Sequence, residues 1–91
     1  MGFVEDVRAV VAAIPPGAVM TYGDIGERVG IGPRQAGRAM GLLDDGVPWW
    51  RVVHADGTPA TCHGGRAVGL LREEGTPFRG ARVDMPRARH G

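Results

Sequence analysis

The stretch Gly30-Ile31-Gly32-Pro33 constrains this chain more than any other. Two glycines around one isoleucine make a tight turn, and Pro33, with its fixed φ and missing N–H, suits the first position of a helix. Upstream, Thr21-Tyr22-Gly23-Asp24 has the spacing of a capping box, with Thr21 as cap and Asp24 three residues on. A short helix is expected from there to about Val29, with Ile25 and Val29 facing inward. Tyr22 falls in its first turn, where free backbone N–H groups attract phosphate. Downstream, a second helix is expected from Pro33 to about Leu43. Ala36, Met40 and Leu43 share one face. Arg34, Arg38 and Gly41 take the opposite face, with Gln35 and Gly37 beside them. A short helix, a glycine turn and a helix with a small, basic face make the helix-turn-helix pattern. A two-helix hairpin with a solvated arginine face has the same pattern.

The flanks complete one domain. Val4, Val7, Val11 and Ile14 recur at helical spacing, so Phe3 to Ala13 reads as a helix that Pro15-Pro16-Gly17 ends. Glu5 and Asp6 sit at its positive end. Asp44-Asp45-Gly46 breaks the helix that starts at Pro33. Val52-Val53-His54, Ala55-Asp56-Gly57 and Thr58 read as a small hairpin with an Asp-Gly turn, placed as a wing. Gly64-Gly65 leads into a last helix from Arg66 to Glu74, closed by Gly75. Phe78 to Val83 reads as a short extended piece. From Pro86 a disordered tail is expected, with Arg87, Arg89 and His90 solvated or against phosphate. The expectation is a mainly α, winged helix-turn-helix-like domain with a small β-hairpin over residues 1–85, and a tail over 86–91.

Composition narrows the function classes. A chain of 91 residues supports one modest core. No apolar run reaches membrane-spanning length, and no secretory leader pattern opens the chain. One cysteine, Cys62, cannot form an internal disulfide, and three scattered histidines do not suggest zinc. The expectation is a cytoplasmic protein, nucleoid-associated if bacterial, without cofactor. The net charge is only +1, and every basic side chain is Arg. Arginine's flat fork suits phosphate and guanine, though a GC-rich genome gives the same bias. From Ile31 to Leu43 there are two Arg and no acid.

Val47-Pro48-Trp49-Trp50-Arg51-Val52-Val53 is the other unusual stretch. Two adjacent indoles follow a proline and precede a cation and the start of a strand. A stiff apolar surface beside a guanidinium suits an unstacked nucleobase. Core filling by both rings is the plainer alternative.

Four segments carry a family resemblance: Ile14-Pro15-Pro16-Gly17, Thr21-Tyr22-Gly23-Asp24-Ile25, Gly37-Arg38-Ala39-Met40-Gly41, and Pro48-Trp49-Trp50-Arg51-Val52-Val53. In this order they resemble the DNA-binding domain of O6-alkylguanine-DNA alkyltransferases, from about Phe3 to Asp84. The family's active-site motif is Pro-Cys-His-Arg-Val. Trp49 stands at its cysteine position and Trp50 at its histidine position, while Arg51, Val52 and Val53 match. Loss of the cysteine is similar to the alkyltransferase-like proteins, which bind alkylated guanine without repairing it and mark it for nucleotide excision repair. Most of those keep the histidine, so Trp50 departs from them too. The chemistry agrees: accepting an alkyl group needs a thiolate-like nucleophile, and an indole offers only a donor N–H.

The resemblance implies roles. Arg38 matches the arginine that enters through the minor groove and fills the gap left by a flipped base. Tyr22 matches the tyrosine that crowds the 3′ phosphate. The small face at Gly37 and Gly41 suits a narrow groove. The expected DNA-contacting set is Thr21, Tyr22, Arg34, Gln35, Gly37, Arg38, Gly41 and Arg51. The expected lesion pocket is Tyr22, Pro48, Trp49, Val53, Thr61, Cys62 and His63. Glu74 resembles the family's buried glutamate, and His54 reads as an ordinary strand residue. The expected partners are duplex DNA containing O6-alkylguanine and nucleotide excision repair proteins, with the chain a monomer. Two other readings remain: an active alkyltransferase using Cys62, and a dimeric transcription regulator reading the major groove.

Overall fold

The computed structural model describes residues 3–43, 46–61 and 63–90. α1 (Phe3–Ala12) buries Val7 and Val11. β1 (Met20–Thr21) runs directly into α2 (Tyr22–Val29). The capping box at Thr21 forms in full: its hydroxyl accepts the Asp24 N–H at 2.9 Å, and its own N–H donates to the Asp24 carboxylate at 3.1 Å. Gly30 ends α2 in the left-handed conformation, φ 91°. Both Gly30 and Ile31 donate their N–H to the Gly26 carbonyl, at 2.7 and 2.8 Å. The turn thus folds back so closely that a Cβ on Gly26 would lie 2.5 Å from the Ile31 oxygen. α3 (Pro33–Met40) starts with Pro33 in its first turn, and its Gly32 N–H donates to the Gln35 side chain at 3.1 Å. It is shorter than the expected Leu43 end, although Leu43 is still buried.

α1, α2 and α3 pack around a core of Val7, Val11, Ile25, Ala36 and Met40, which Trp49 and Val52 extend. A short 3-10 turn, Trp49–Arg51, leads into β2 (Val52–Val53). β2 pairs in parallel with β1, Met20 opposite Val52 and Thr21 opposite Val53. α4 (Ala67–Glu73) then packs against the 3-10 turn. β3 (Phe78–Arg79) and β4 (Arg82–Val83) form an antiparallel hairpin. The final helix is α5 (Met85–Ala88).

The mainly helical, winged helix-turn-helix-like fold agrees with the sequence reading, but the hairpin sits later in the chain. The Asp56-Gly57 turn does form: His54 donates to the Thr58 carbonyl at 3.0 Å, and Gly57 to the His54 carbonyl at 2.9 Å. The ladder stops at one bridge, Val53 to Pro59, since proline has no N–H to continue it. The paired hairpin is instead Phe78–Val83, the stretch read only as extended.

The stretch from Pro86, expected as a disordered tail, contributes to the last helix and hydrogen-bonds to Val19 through His90. Ala88 is buried, its carbonyl accepts the Val19 N–H at 3.0 Å, and His90 donates to the Val19 carbonyl at 2.8 Å. The backbone at Val19 beside β1 needs partners, and this segment supplies them. Among the described residues no helix is long and apolar enough to cross a membrane.

Candidate nucleic-acid interface and base pocket

α3 lays Arg34, Gln35, Arg38 and Gly41 on an exposed face, with Gly37 half-buried among them. The Gln35 carbonyl also serves as the cap of its own helix. Beside this face opens a cleft of about 590 Å³. Tyr22, Pro33, Arg34, Gly37, Met40 and Gly41 form its helical side. Trp49, His54, Ala60, Thr61 and His63 close the other. No carboxylate lines it among the described residues, so a polyanion meets only basic or neutral groups.

Aromatic rings organise the floor. Trp49 is 2% exposed. The His63 imidazole stacks on it, with centroids 3.9 Å apart and planes 15° apart. Trp50 meets Trp49 edge-on at 5.7 Å. Tyr22 and His54, both on the cleft lining, are in contact, with centroids 5.1 Å apart and rings tilted. His63 has φ 57°, in the left-handed region, and Gly64 and Gly65 continue in it. Its carbonyl accepts from Arg66 Nε at 3.1 Å, and the Arg66 guanidinium lies 5.8 Å from the Trp49 ring centroid.

Of the expected pocket, the cleft gathers Tyr22, Trp49, Thr61 and His63. Cys62 lies outside the described residues. Pro48 is not part of the lining; it precedes the 3-10 turn as its cap. Val53 is fully buried with Val19, Leu71 and Val83, because β2 turns that side chain away from the cleft.

The structure places two of the expected DNA contacts in the interior. Thr21 is buried, and its hydroxyl is engaged by the cap. The Arg51 side chain is 13% exposed and turns inward. It forms a close ion pair with Glu74, and its outer nitrogen donates to the Ile14 carbonyl at 2.7 Å. The Trp50 indole N–H is buried near the same carboxylate, outside hydrogen-bond geometry. Burial pushes the Glu74 carboxyl up, but the Arg51 hydrogen bonds, the nearby Trp50 N–H and the Arg51 charge outweigh it, leaving the pKa lowered. Asp24 is also held below the ordinary range, chiefly by its hydrogen bonds to Arg89.

Pro33, Met40, His54 and Ala60 also line the cleft, outside the sets expected from the sequence. Met40 reads as a core-face residue, and it serves the core as well as the cleft. His54 reaches the cleft through the pairing of β1 with β2, for which the sequence carries no local signal.

Residues 2–76 match the family described as 6-O-methylguanine DNA methyltransferase, DNA binding domain. The chain belongs to this family. Among the family's alkyltransferase-like and base-flipping members, it is 39% identical over 59 residues to the DNA base-flipping protein of Vibrio parahaemolyticus, covering 60% of this chain and 59% of that protein. It is 43% identical over 60 residues to alkyltransferase-like protein 1 of Schizosaccharomyces pombe, covering 62% of this chain and 56% of that protein. The chain spans little more than half the length of these relatives. The fold matches the crystal structure of the Schizosaccharomyces pombe alkyltransferase-like protein in complex with damaged DNA containing O6-carboxymethylguanine. There the TM-score is 0.85 at 31% identity, covering 98% of this chain and 94% of that one. The O6-methylguanine methyltransferase of Mycobacterium tuberculosis matches with a TM-score of 0.71 at 31% identity, over 81% of this chain and 48% of that one.

Proposed function

We propose that this family member is a non-catalytic sensor of O6-alkylguanine in duplex DNA. α3 enters the minor groove, Arg38 fills the space left by an extruded nucleotide, and Tyr22 crowds the phosphate beside it. The damaged base enters the cleft between Tyr22 and the Trp49–His63 stack. Extrusion costs a few kcal/mol, and less where pairing is already weakened by alkylation. The bound complex is then passed to nucleotide excision repair.

The observation that carries this reading is the cleft itself. It adjoins the arginine-bearing face of α3, and its inner wall is an indole where alkyl transfer would need a thiolate. Trp49 at the acceptor position makes the chain a binder rather than an alkyl acceptor.

A paired gel-shift measurement at fixed salt tests it, since salt alone moves such affinities greatly. Duplex containing O6-methylguanine should bind more tightly than the same duplex with guanine, and equal affinity would sink the reading. Mass spectrometry after incubation with the lesion should leave the chain's mass unchanged. A gain of one methyl on Cys62 would make the protein an enzyme.

A further inference from the structure

Trp49 is the obvious surface for an extruded base, but the structure leaves it little surface to offer. It is 2% exposed, and the His63 imidazole already covers one face at stacking distance. Trp50 abuts the same indole edge-on. His63, in contrast, is half-buried and lines the cleft. One face of the imidazole packs on Trp49, and the ring is among the side chains that border that space.

The backbone is arranged to hold the ring there. His63 takes a left-handed conformation that is uncommon outside glycine, although histidine adopts it more often than most residues. Strain of this kind persists where surrounding contacts over-determine it, and it concentrates at ligand sites. Here those contacts include the Trp49 stack and the Arg66 hydrogen bond to the His63 carbonyl. The guanidinium of Arg66, near the indole, joins the same assembly.

We infer that a base extruded into the cleft stacks on His63, and that Trp49 is the rigid backing behind the imidazole rather than the surface the base touches. The inference rests on the base-flipping reading above and assigns its stacking residue. His63 is then the residue through which the cleft tells an occupied pocket from an empty one.

The test measures affinity for three duplexes: one with O6-methylguanine, one with guanine, and one with an abasic site at that position. His63→Asn removes the ring and keeps a residue that tolerates the left-handed backbone. His63→Phe keeps a ring. Base stacking on an aromatic side chain predicts that His63→Asn lowers lesion affinity by about five- to 150-fold. His63→Phe should retain the preference for the lesion. On the abasic duplex, with no base to stack, wild type and His63→Asn should bind alike. The inference is overturned if His63→Asn discriminates as well as wild type, or if its loss persists on the abasic duplex. Tighter lesion binding by His63→Asn would also overturn it, because the imidazole would then be blocking Trp49. So would an equal loss in His63→Phe. A wild type without lesion preference overturns the base-flipping reading and this inference with it, whereas a preference that survives His63→Asn removes this inference alone.

Discussion

Arg51 and Glu74 lock the tryptophan turn to the end of α4. Arg51 Nε donates to both carboxylate oxygens, at 3.0 and 3.1 Å, and the guanidinium also reaches the carbonyl of Ile14 just beyond α1. One side chain thus ties three parts of the chain behind the base pocket. Its position next to two indoles suggested a contact with DNA, but its hydrogen bonds are internal.

Breaking that pair should be costly. Arg51→Met leaves a carboxylate with a side chain only 15% exposed and no cation beside it. The expected loss is about 2–4 kcal/mol, somewhat under the range for a fully enclosed pair. Urea denaturation measures it. Lesion affinity per folded molecule should not change, and a selective loss of affinity would return Arg51 to the interface.

The same variant has a definite pH signature. In the wild type the lowered Glu74 pKa contributes stability above the ordinary glutamate value, and that contribution is lost as pH falls through the folded value. Without Arg51, burial dominates and the folded pKa rises. The penalty is then largest at neutral pH and shrinks on acidification. Denaturation midpoints followed from pH 7 to about 3 should converge for wild type and variant. Parallel curves would contradict the assignment.

What the sequence made legible was local. The Thr21 cap, the turn after Val29, Pro33 at the start of α3 and the arginine face are each encoded within a few residues, and each forms. What stayed hidden depends on contacts between distant segments. Val52-Val53 reads as half of a local hairpin but pairs with Met20-Thr21, a partner some thirty residues away that no local pattern marks. Pro86 to His90 is polar and short, so its order comes from Val19, some seventy residues earlier. Arg51 reads as a surface cation until its distant partner Glu74 is placed beside it.

The cap at Thr21 fixes where α2 begins and so where Tyr22 points. Thr21→Ala removes the acceptor for the Asp24 N–H. A stability loss of about 1 kcal/mol is expected, with a range of roughly 0.5–2. Thermal unfolding checks it, and a loss near zero would show that the cap is dispensable.

Gly26→Ala should be worse, although alanine is ordinarily the better helix former. Its Cβ would press on the Ile31 carbonyl, which is backbone and cannot rotate away. Overpacking of this kind costs about 1–3 kcal/mol. An alanine variant more stable than wild type would show that the turn can open.

Arg38 is exposed on α3, so its replacement should barely affect folding. Arg38→Ala is expected to stay within about 0.5 kcal/mol of wild-type stability. Its lesion affinity should fall through loss of the wedge, as a binding titration on both folded proteins would show. Unchanged affinity would remove Arg38 from its assigned role.

The two-residue ladder between β1 and β2 works as a ruler. Because Thr21 stands opposite Val53, the residues that follow them, Tyr22 and His54, emerge at the same height and bring their rings into contact on the cleft lining. One insertion in either strand would offset those two rings by a whole step and turn that strand's buried side chains to its other face. So short a seam leaves evolution free to redecorate the walls, while the spacing between the two strands is what it must keep.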